Sequence, residues 1–408
     1  MLRERLGRVN LRLGGVMAAT LASQGAAAAA LAATPLLGLS TSDAYAIGLQ
    51  IGNASLAGVV IGVVYLLAVG RPWFDQWRRW AVIAAGFSIA LPLVVIGANA
   101  VSRHTSDSLF VRGEVALIFG LGGAALAIAG VGAVRMACQG SPMWLASLTI
   151  APNVSMLIAT LIAWRVDRSG LSLAPAIAWA ATCGALATFG SRSGARDASD
   201  GVAPDADSQG LQATALAAGV ITSSVFPSLY ITAISGIRAG AATALFLVTK
   251  VGSSFVGITV NSVLLVRYNW ASERRVTGRS SLILTSAAAV AAGIALLLHT
   301  SGFRGASYGV AIVWWLCPLV AAPLILREVN ARRMARTVMA KAAADMIVSA
   351  GTVAVLFAHP SFTGYLAAFA ISQAVTMTVG GVGLRNRPLV AASLVLLVVS
   401  EILLVRGW

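Results

Sequence analysis

Residues 244–266 read "ALFLVTKVGSSFVGITVNSVLLV", an apolar run long enough to cross a ~30 Å hydrocarbon layer that nevertheless contains Lys250 near its centre. Comparable apolar runs recur along nearly the whole chain. Hydrophobic residues make up 58% of the 408 residues, and charged residues only 11%. A soluble protein of this length needs far more polar surface than that. The sequence therefore predicts an all-α polytopic membrane protein.

The net charge of +15 comes from arginines in short segments between the apolar runs. Such clusters are typical of topology signals and contacts with anionic lipid, so no nucleic-acid partner is expected. Thirteen apolar windows lie between residues 12 and 406. Merging or splitting one window gives a count of twelve to fourteen spans. Placing the N-terminus inside puts roughly three times as many Lys and Arg inside as outside, as short loops require. We therefore predict a multi-pass protein of the cytoplasmic membrane (the inner membrane of a cell with two) with a cytoplasmic N-terminus.

The first 38 residues also have the features of a signal peptide, because a basic start precedes an apolar stretch and several small residues. However, the apolar run has the length of a full span and contains Ser23, Gln24 and Gly25 at its centre. Removing it would also reverse the side of every later loop. We interpret the segment as a retained first helix.

The segment "SRSGARDASDGVAPDADSQG" (191–210) has no apolar face and is typical of a flexible cytoplasmic linker. It separates a predicted six-helix lobe, 1–190, from a second six-helix lobe, 211–384. Residues 385–408 form one additional C-terminal helix, and Glu401 near its end leaves a peripheral location open. Residues 48–73 align without a gap on 245–270, which favours a parallel repeat, although matched hydropathy alone also produces such an alignment. Paired lobes of this kind place a substrate site in a central cavity between them.

Lys250 is the candidate site residue that the sequence singles out. A lysine at the bilayer centre costs at least about 2.5 kcal/mol unless it faces water or an opposite charge. The predicted helices 1, 2, 7 and 8 contain no Asp or Glu, because Asp43 falls in the predicted outer turn before helix 2. We therefore expect Lys250 to face a wet cavity that receives an anionic ligand.

Other polar residues fall at similar predicted depth. They are Gln24 in helix 1, Gln50 and Asn53 in helix 2, and Ser253, Ser254 and Asn261 in helix 8. Those in helix 8 follow Lys250 by three, four and eleven residues, which places them on one helical face. Small and hydroxyl residues also mediate helix packing, so packing remains the alternative for Ser253 and Ser254. Lys341 precedes Asp345 by four residues, and this spacing predicts an intrahelical ion pair.

Metal and cofactor chemistry is not predicted. Cys138, Cys183 and Cys317 lie in or beside apolar segments without the spacing of a metal site, and we interpret them as small buried hydrophobes. The three histidines occur singly, without a Ser or Cys partner at useful spacing. The sequence therefore does not favour an enzyme.

The N-inside start, two parallel six-helix lobes, the cytoplasmic linker and the extra C-terminal helix resemble the multidrug/oligosaccharidyl-lipid/polysaccharide (MOP) flippase superfamily. The resemblance implies that the first two helices of each lobe line a central cavity. In its lipid-linked sugar exporters, including lipid II flippases, basic residues in that cavity hold the phosphates of the lipid. By this resemblance Lys250 is the phosphate partner, and Gln24, Gln50 and Asn53 line the cavity. The sequence departs from the lipid II branch, which usually has several arginines in helices 1 and 2.

The expected function is a flippase that moves a polyprenyl-(pyro)phosphate-linked saccharide to the outer leaflet by alternating access. Its expected partners are the lipid-linked saccharide, membrane lipids and enzymes of cell-envelope biosynthesis. A cation-coupled multidrug exporter of the same superfamily is the alternative, but it needs a central carboxylate where this sequence has a lysine. A membrane glycosyltransferase that uses a polyprenyl-sugar donor is a third reading, and the short outer loops argue against it.

Overall fold

The structure is a computed structural model that describes residues 2–65, 77–101, 113–138, 141–166, 171–192, 206–256, 278–301, 304–332 and 334–406. Within these ranges the chain is helical and has no strand, so the predicted all-α class is confirmed. The long helices are α1 Leu2–Ala33, α2 Leu39–Ser55, α3 Trp77–Val101, α4 Gly113–Cys138, α5 Ile150–Val166, α6 Ala174–Arg192, α7 Ala206–Ser235, α8 Ala241–Val256, α9 Gly278–Thr300, α10 Arg304–Ala331, α11 Ala335–Ala358, α12 Phe362–Gly383 and α13 Arg387–Arg406.

Three shorter elements modify this series. A 3₁₀ turn, Thr34–Leu37, connects α1 to α2, and a π-helical segment, Leu56–Tyr65, continues α2. A short helix, Met143–Ser147, precedes α5. Among the described residues, nine helical segments are long and apolar enough to cross a membrane, and α6, α8 and α10 contain shorter apolar stretches. The chain is therefore a multi-span membrane protein, as its composition predicts.

The chain divides into two compact units. Unit 1 contains Met1–Pro204 and Arg238–Ser272, and unit 2 contains Asp205–Ile237 and Glu273–Trp408. Helix α8 is thus part of the same unit as α1 to α6, while α7 belongs with α9 to α13. These limits differ from the lobes predicted from the sequence, whose boundaries remain a prediction.

Glycines bring three helices of unit 1 into close contact. A Cβ atom on Gly123 of α4 would lie 2.7 Å from the backbone oxygen of Gly52 in α2. A Cβ atom on Gly52 would lie 2.6 Å from the ring of Trp179 in α6. Small residues at such positions let helix backbones approach closely in a membrane. The face of α2 that carries Gly52 is therefore fixed against α4 and α6.

Helix α13 is an integral part of unit 2. Leu389, Leu396 and Leu403 recur every seven residues and are all fully buried. The indole Nε1 of Trp314 also donates to Ser400 Oγ at 3.1 Å. A peripheral final helix, which the sequence left open, does not agree with this packing.

Candidate substrate-binding site

Hydroxyl groups join one end of α1, α2 and α8 within unit 1. Thr34 Oγ1, directly after α1, lies 2.7 Å from Ser42 Oγ of α2. Ser42 Oγ in turn lies 2.8 Å from Thr243 Oγ1 of α8. We call Thr34, Ser42, Asp43 and Thr243 the capping cluster. Because α2 and α8 both begin near this cluster, positions along α1, α2 and α8 can be compared by their distance from it.

Asp43 caps the first turn of α8. Its Oδ2 accepts the backbone N–H of Gly240 at 2.7 Å, and its Oδ1 accepts the backbone N–H and the hydroxyl of Thr243, both at 2.9 Å. The first N–H groups of a helix have no partner within the helix, and a carboxylate also complements the positive end of the helix dipole. Asp43 is only 4% exposed, so this contact is an internal part of unit 1.

The position of Asp43 corrects the sequence prediction. The predicted span began at residue 44, whereas α2 begins at Leu39, and Asp43 therefore lies inside the helix as its fifth residue. The capping role was not predictable from the sequence, because Asp43 and its partners are about 200 residues apart in the chain.

The capping cluster determines how the candidate residues are placed. Gln50 follows Asp43 by seven residues, and Lys250 follows Thr243 by seven. Seven residues correspond to about 10 Å of helix and nearly two full turns, so each residue returns to the face of its cluster member. Gln50 and Lys250 thus lie at equal distance from the cluster, on the sides of α2 and α8 that meet there.

Helix α2 exposes only one polar stripe. Between Thr41 and Val60 every residue is buried except Gln50, Asn53 and Ala57. This is the stripe that helical periodicity predicts, and the other faces of α2 pack inside unit 1. Asn53 Nδ2 donates to its own helix at Leu49 O, at 2.8 Å. We call Gln50, Asn53 and Ala57 the accessible stripe of α2.

Lys250 is half-buried on α8. Its Nζ lies 5.2 Å from the ring centroid of Phe246, one turn earlier, where a cation gains from the negative face of the ring. The exposed apolar residues of α8 include Val248 and Val251, which lie on a different face from Lys250. The lysine therefore extends from the side of α8 that carries Thr243, rather than from its apolar exposed side.

Gln24 lies on α1, ten residues before Thr34, or about 15 Å along the helix. It shares a face with Ala27 and Leu31, which are both buried. Its Oε1 is buried and has no hydrogen-bond partner among the described residues. Buried polar atoms normally have a partner, so this oxygen is available to a donor from a ligand or from water.

The remaining candidates are less informative. Ser254 Oγ donates to the Lys250 carbonyl at 2.5 Å, which agrees with a local role within the helix. The side chain of Ser253 and the whole of Asn261 lie outside the described residues. In the described part of the chain, no group of three or more His, Cys, Asp or Glu side chains is placed to hold a metal ion. Cys183 is a free, buried thiol, as expected, whereas the free thiol of Cys317 is only half-buried.

These helices define a polytopic, all-helical membrane protein. Among solved structures, the chain is similar to the lipid II flippase MurJ in its inward closed conformation. The TM-score is 0.56 at 12% identity, over 96% of this chain and 92% of that chain. The chain therefore shares the fold of that structure.

A second similar structure is the eukaryotic MATE transporter AtDTX14, at 14% identity over 97% of this chain and 94% of that chain. Its TM-score of 0.30 is too low to support a conclusion. No protein-family model and no curated protein matches the chain.

Proposed function

We propose that this protein is a flippase that moves a polyprenyl-(pyro)phosphate-linked saccharide from the cytoplasmic to the outer leaflet by alternating access. Lys250 pairs with the phosphate, and Gln24, Gln50, Asn53 and Asn261 bind the saccharide or its waters. One observation supports the proposal: the capping cluster joins α2 to α8, and Gln50 and Lys250 each follow a member of that cluster by seven residues.

The energetics favour an anionic headgroup. Two unit charges 4 Å apart attract by about 4 kcal/mol at an effective dielectric constant of 20. This exceeds the cost of about 2.5 kcal/mol for a lysine at the bilayer centre. A phosphate beside Lys250 therefore offsets the cost of placing the lysine there, whereas a cationic drug at the same place adds a repulsion.

The polyprenyl tail stays in the lipid during transport. Each CH₂ group that leaves an apolar environment costs about 0.8 kcal/mol, so a tail of many isoprene units cannot enter a wet cavity. Only the phosphate and the saccharide need a polar path. The amide side chains of α2 would bind the saccharide, and the cation of α8 would bind the phosphate.

The capping cluster contributes to the proposed cycle. It joins α1, α2 and α8 at the end that the topology prediction places outside. In this conformation the accessible stripe is therefore approached from the cytoplasmic end. Release to the outer leaflet requires Asp43 to leave the first turn of α8.

The proposal is tested with purified protein in vesicles that contain a fluorescent polyprenyl-pyrophosphate-linked saccharide. We expect Lys250→Met to abolish movement of the headgroup between leaflets, and Lys250→Arg to retain much of it. Arg336→Met, which removes an exposed cation at the start of α11, is the matched control and should transport normally. Full transport by Lys250→Met would refute the role of Lys250.

The cation-coupled multidrug exporter remains the alternative function. Its specific requirement is a membrane-embedded carboxylate that binds and releases a cation. Asp345 in α11 is buried within a candidate span, but its carboxylate pairs with Lys341. Extrusion of a cationic dye driven by a sodium or proton gradient would favour this alternative, and sugar transfer by the purified protein would favour a glycosyltransferase.

A further inference from the structure

Unit 2 contains a buried charged centre that the proposed transport path does not use. Lys341 Nζ donates to Asp345 Oδ2 at 3.1 Å, and the two residues are 7% and 1% exposed. Both belong to α11, and the predicted intrahelical pair is confirmed. Ser372 Oγ of α12 donates to Asp345 Oδ1 at 2.8 Å, with Ser349 Oγ at 3.4 Å. We call these four residues the Asp345 site.

The Asp345 site lies deep in unit 2. Asp345 is ten residues into α11, a candidate membrane span, and therefore about 15 Å along it. Helix α11 packs against α7 and α12, and Tyr230 of α7 is also buried. Three helices thus surround one carboxylate that is far from water.

The composition of the site is that of a cation site. One carboxylate and two serine hydroxyls offer oxygen atoms with lone pairs, which hard cations such as sodium prefer. A buried carboxylate without a positive partner is strongly unfavourable, so the site needs either a positive charge or a proton on the carboxylate. Here the ammonium group of Lys341 supplies the positive charge.

We propose that Lys341 is the built-in cation of the Asp345 site, and that its ammonium group occupies the place of a free monovalent cation such as Na⁺. The lysine is on the same helix as the carboxylate, so it stays there without a supply of ions from either side of the membrane. Asp345 is then permanently compensated and takes no part in cation coupling. This inference is independent of Lys250, because it concerns other residues in the other unit.

The test removes the built-in cation and asks whether a free one replaces it. Lys341→Met keeps most of the side-chain length and deletes the charge. The melting temperature, Tm, of the purified full-length protein is measured in NaCl and in choline chloride at equal ionic strength. We expect the same Tm in both salts for the unmodified protein. For Lys341→Met we expect a low Tm in choline chloride and a saturable rise of roughly 5 °C with Na⁺.

Two matched variants check the origin of the response. The double variant Lys341→Met/Asp345→Asn lacks both charges and should have a Tm that does not depend on Na⁺. Arg332→Met removes the partner of Glu328 at the end of α10, a more exposed pair with the same four-residue spacing. It should also show no response to Na⁺. If the Lys341→Met protein cannot be purified, the same Na⁺ titration is made with Lys341→Gln, which retains a hydrogen-bond donor beside Asp345.

Two outcomes would overturn the proposal. A Na⁺-dependent Tm in the unmodified protein that Asp345→Asn removes would show that the site accepts a free cation beside Lys341, and would overturn the proposal. A charge-deleted variant of Lys341 that responds to neither Na⁺, Li⁺ nor K⁺ would also overturn it, because the oxygen atoms would then not form a cation site.

Discussion

Lys250 and Lys341 are the two lysines of the chain, and they lie in different surroundings. Lys341 is buried against a carboxylate 3.1 Å away, and hydroxyl groups complete that site. Lys250 is half-buried beside the ring of Phe246, on the side of α8 that carries Thr243 of the capping cluster. The same charge is therefore compensated by a carboxylate in unit 2, whereas in unit 1 we propose that it pairs with an incoming anion. Four predictions test this difference, from the largest expected effect to the smallest.

Loss of Lys341 should have the largest effect. Removing one member of a buried ion pair leaves the other charge uncompensated, which costs about 3–5 kcal/mol. We expect Lys341→Met to lower the free energy of unfolding by this amount in sodium-free buffer. Denaturant titration in detergent measures it, with Arg332→Met as the control at a more exposed pair, where a smaller loss of stability is expected. A Lys341→Met protein as stable as the unmodified one would mean that the pair does not stabilise unit 2.

Lys250→Met should have little effect on the free energy of unfolding and a large effect on binding. We expect affinity for a polyprenyl-pyrophosphate-linked saccharide to fall about 10- to 100-fold, or about 1.4–2.7 kcal/mol. Native mass spectrometry or fluorescence titration measures the change. If Lys250→Met destabilises the protein as much as Lys341→Met does, the two lysines are equivalent and the proposed difference fails.

Asp43→Ala should have an intermediate effect on stability, because it removes the acceptors for the first turn of α8. Loss of a helix cap of this kind costs about 0.5–2 kcal/mol. Asp43→Asn should cost less, since the amide oxygen still accepts one N–H group. Thermal unfolding of both variants checks the order. Equal Tm values for Asp43→Ala and the unmodified protein would contradict the capping role.

Gln50→Leu and Asn53→Leu should have the smallest effects. Each removes one neutral hydrogen-bonding group from the accessible stripe, worth about 0.5–1.5 kcal/mol, so substrate affinity should fall about 2- to 10-fold. Ser254→Ala is the control, because its hydroxyl bonds its own helix. If Ser254→Ala weakens binding more than either stripe variant, the stripe does not contact the substrate.

Local features were predictable from the sequence. Helical periodicity gave the accessible stripe at Gln50, Asn53 and Ala57, and a spacing of four residues gave the pair of Lys341 with Asp345. Both depend on neighbours within a few turns of one helix. Apolar length gave the thirteen helices for the same reason, although it placed the start of α2 five residues too late.

Contacts between distant segments were not predictable. The capping of α8 by Asp43 joins atoms about 200 residues apart, and no local pattern encodes it. The grouping of α8 with unit 1 also depends on tertiary packing, and the linker composition at 191–210 pointed to another boundary. The heptad spacing of Leu389, Leu396 and Leu403 is a local signal for the packed face of α13. Glu401, near the end of the same helix, indicated a peripheral helix instead.

The contact between Gly52 and Gly123 has a mechanical consequence. Because no side chain separates the two backbones at this contact, a shift of one backbone presses directly on the other. We therefore expect these two helices, with Trp179 of α6 against them, to move as a rigid body in the proposed transport cycle. The orientation of Gln50 and Asn53 would then be constant during that cycle, and the proposed headgroup would have to fit a rigid surface.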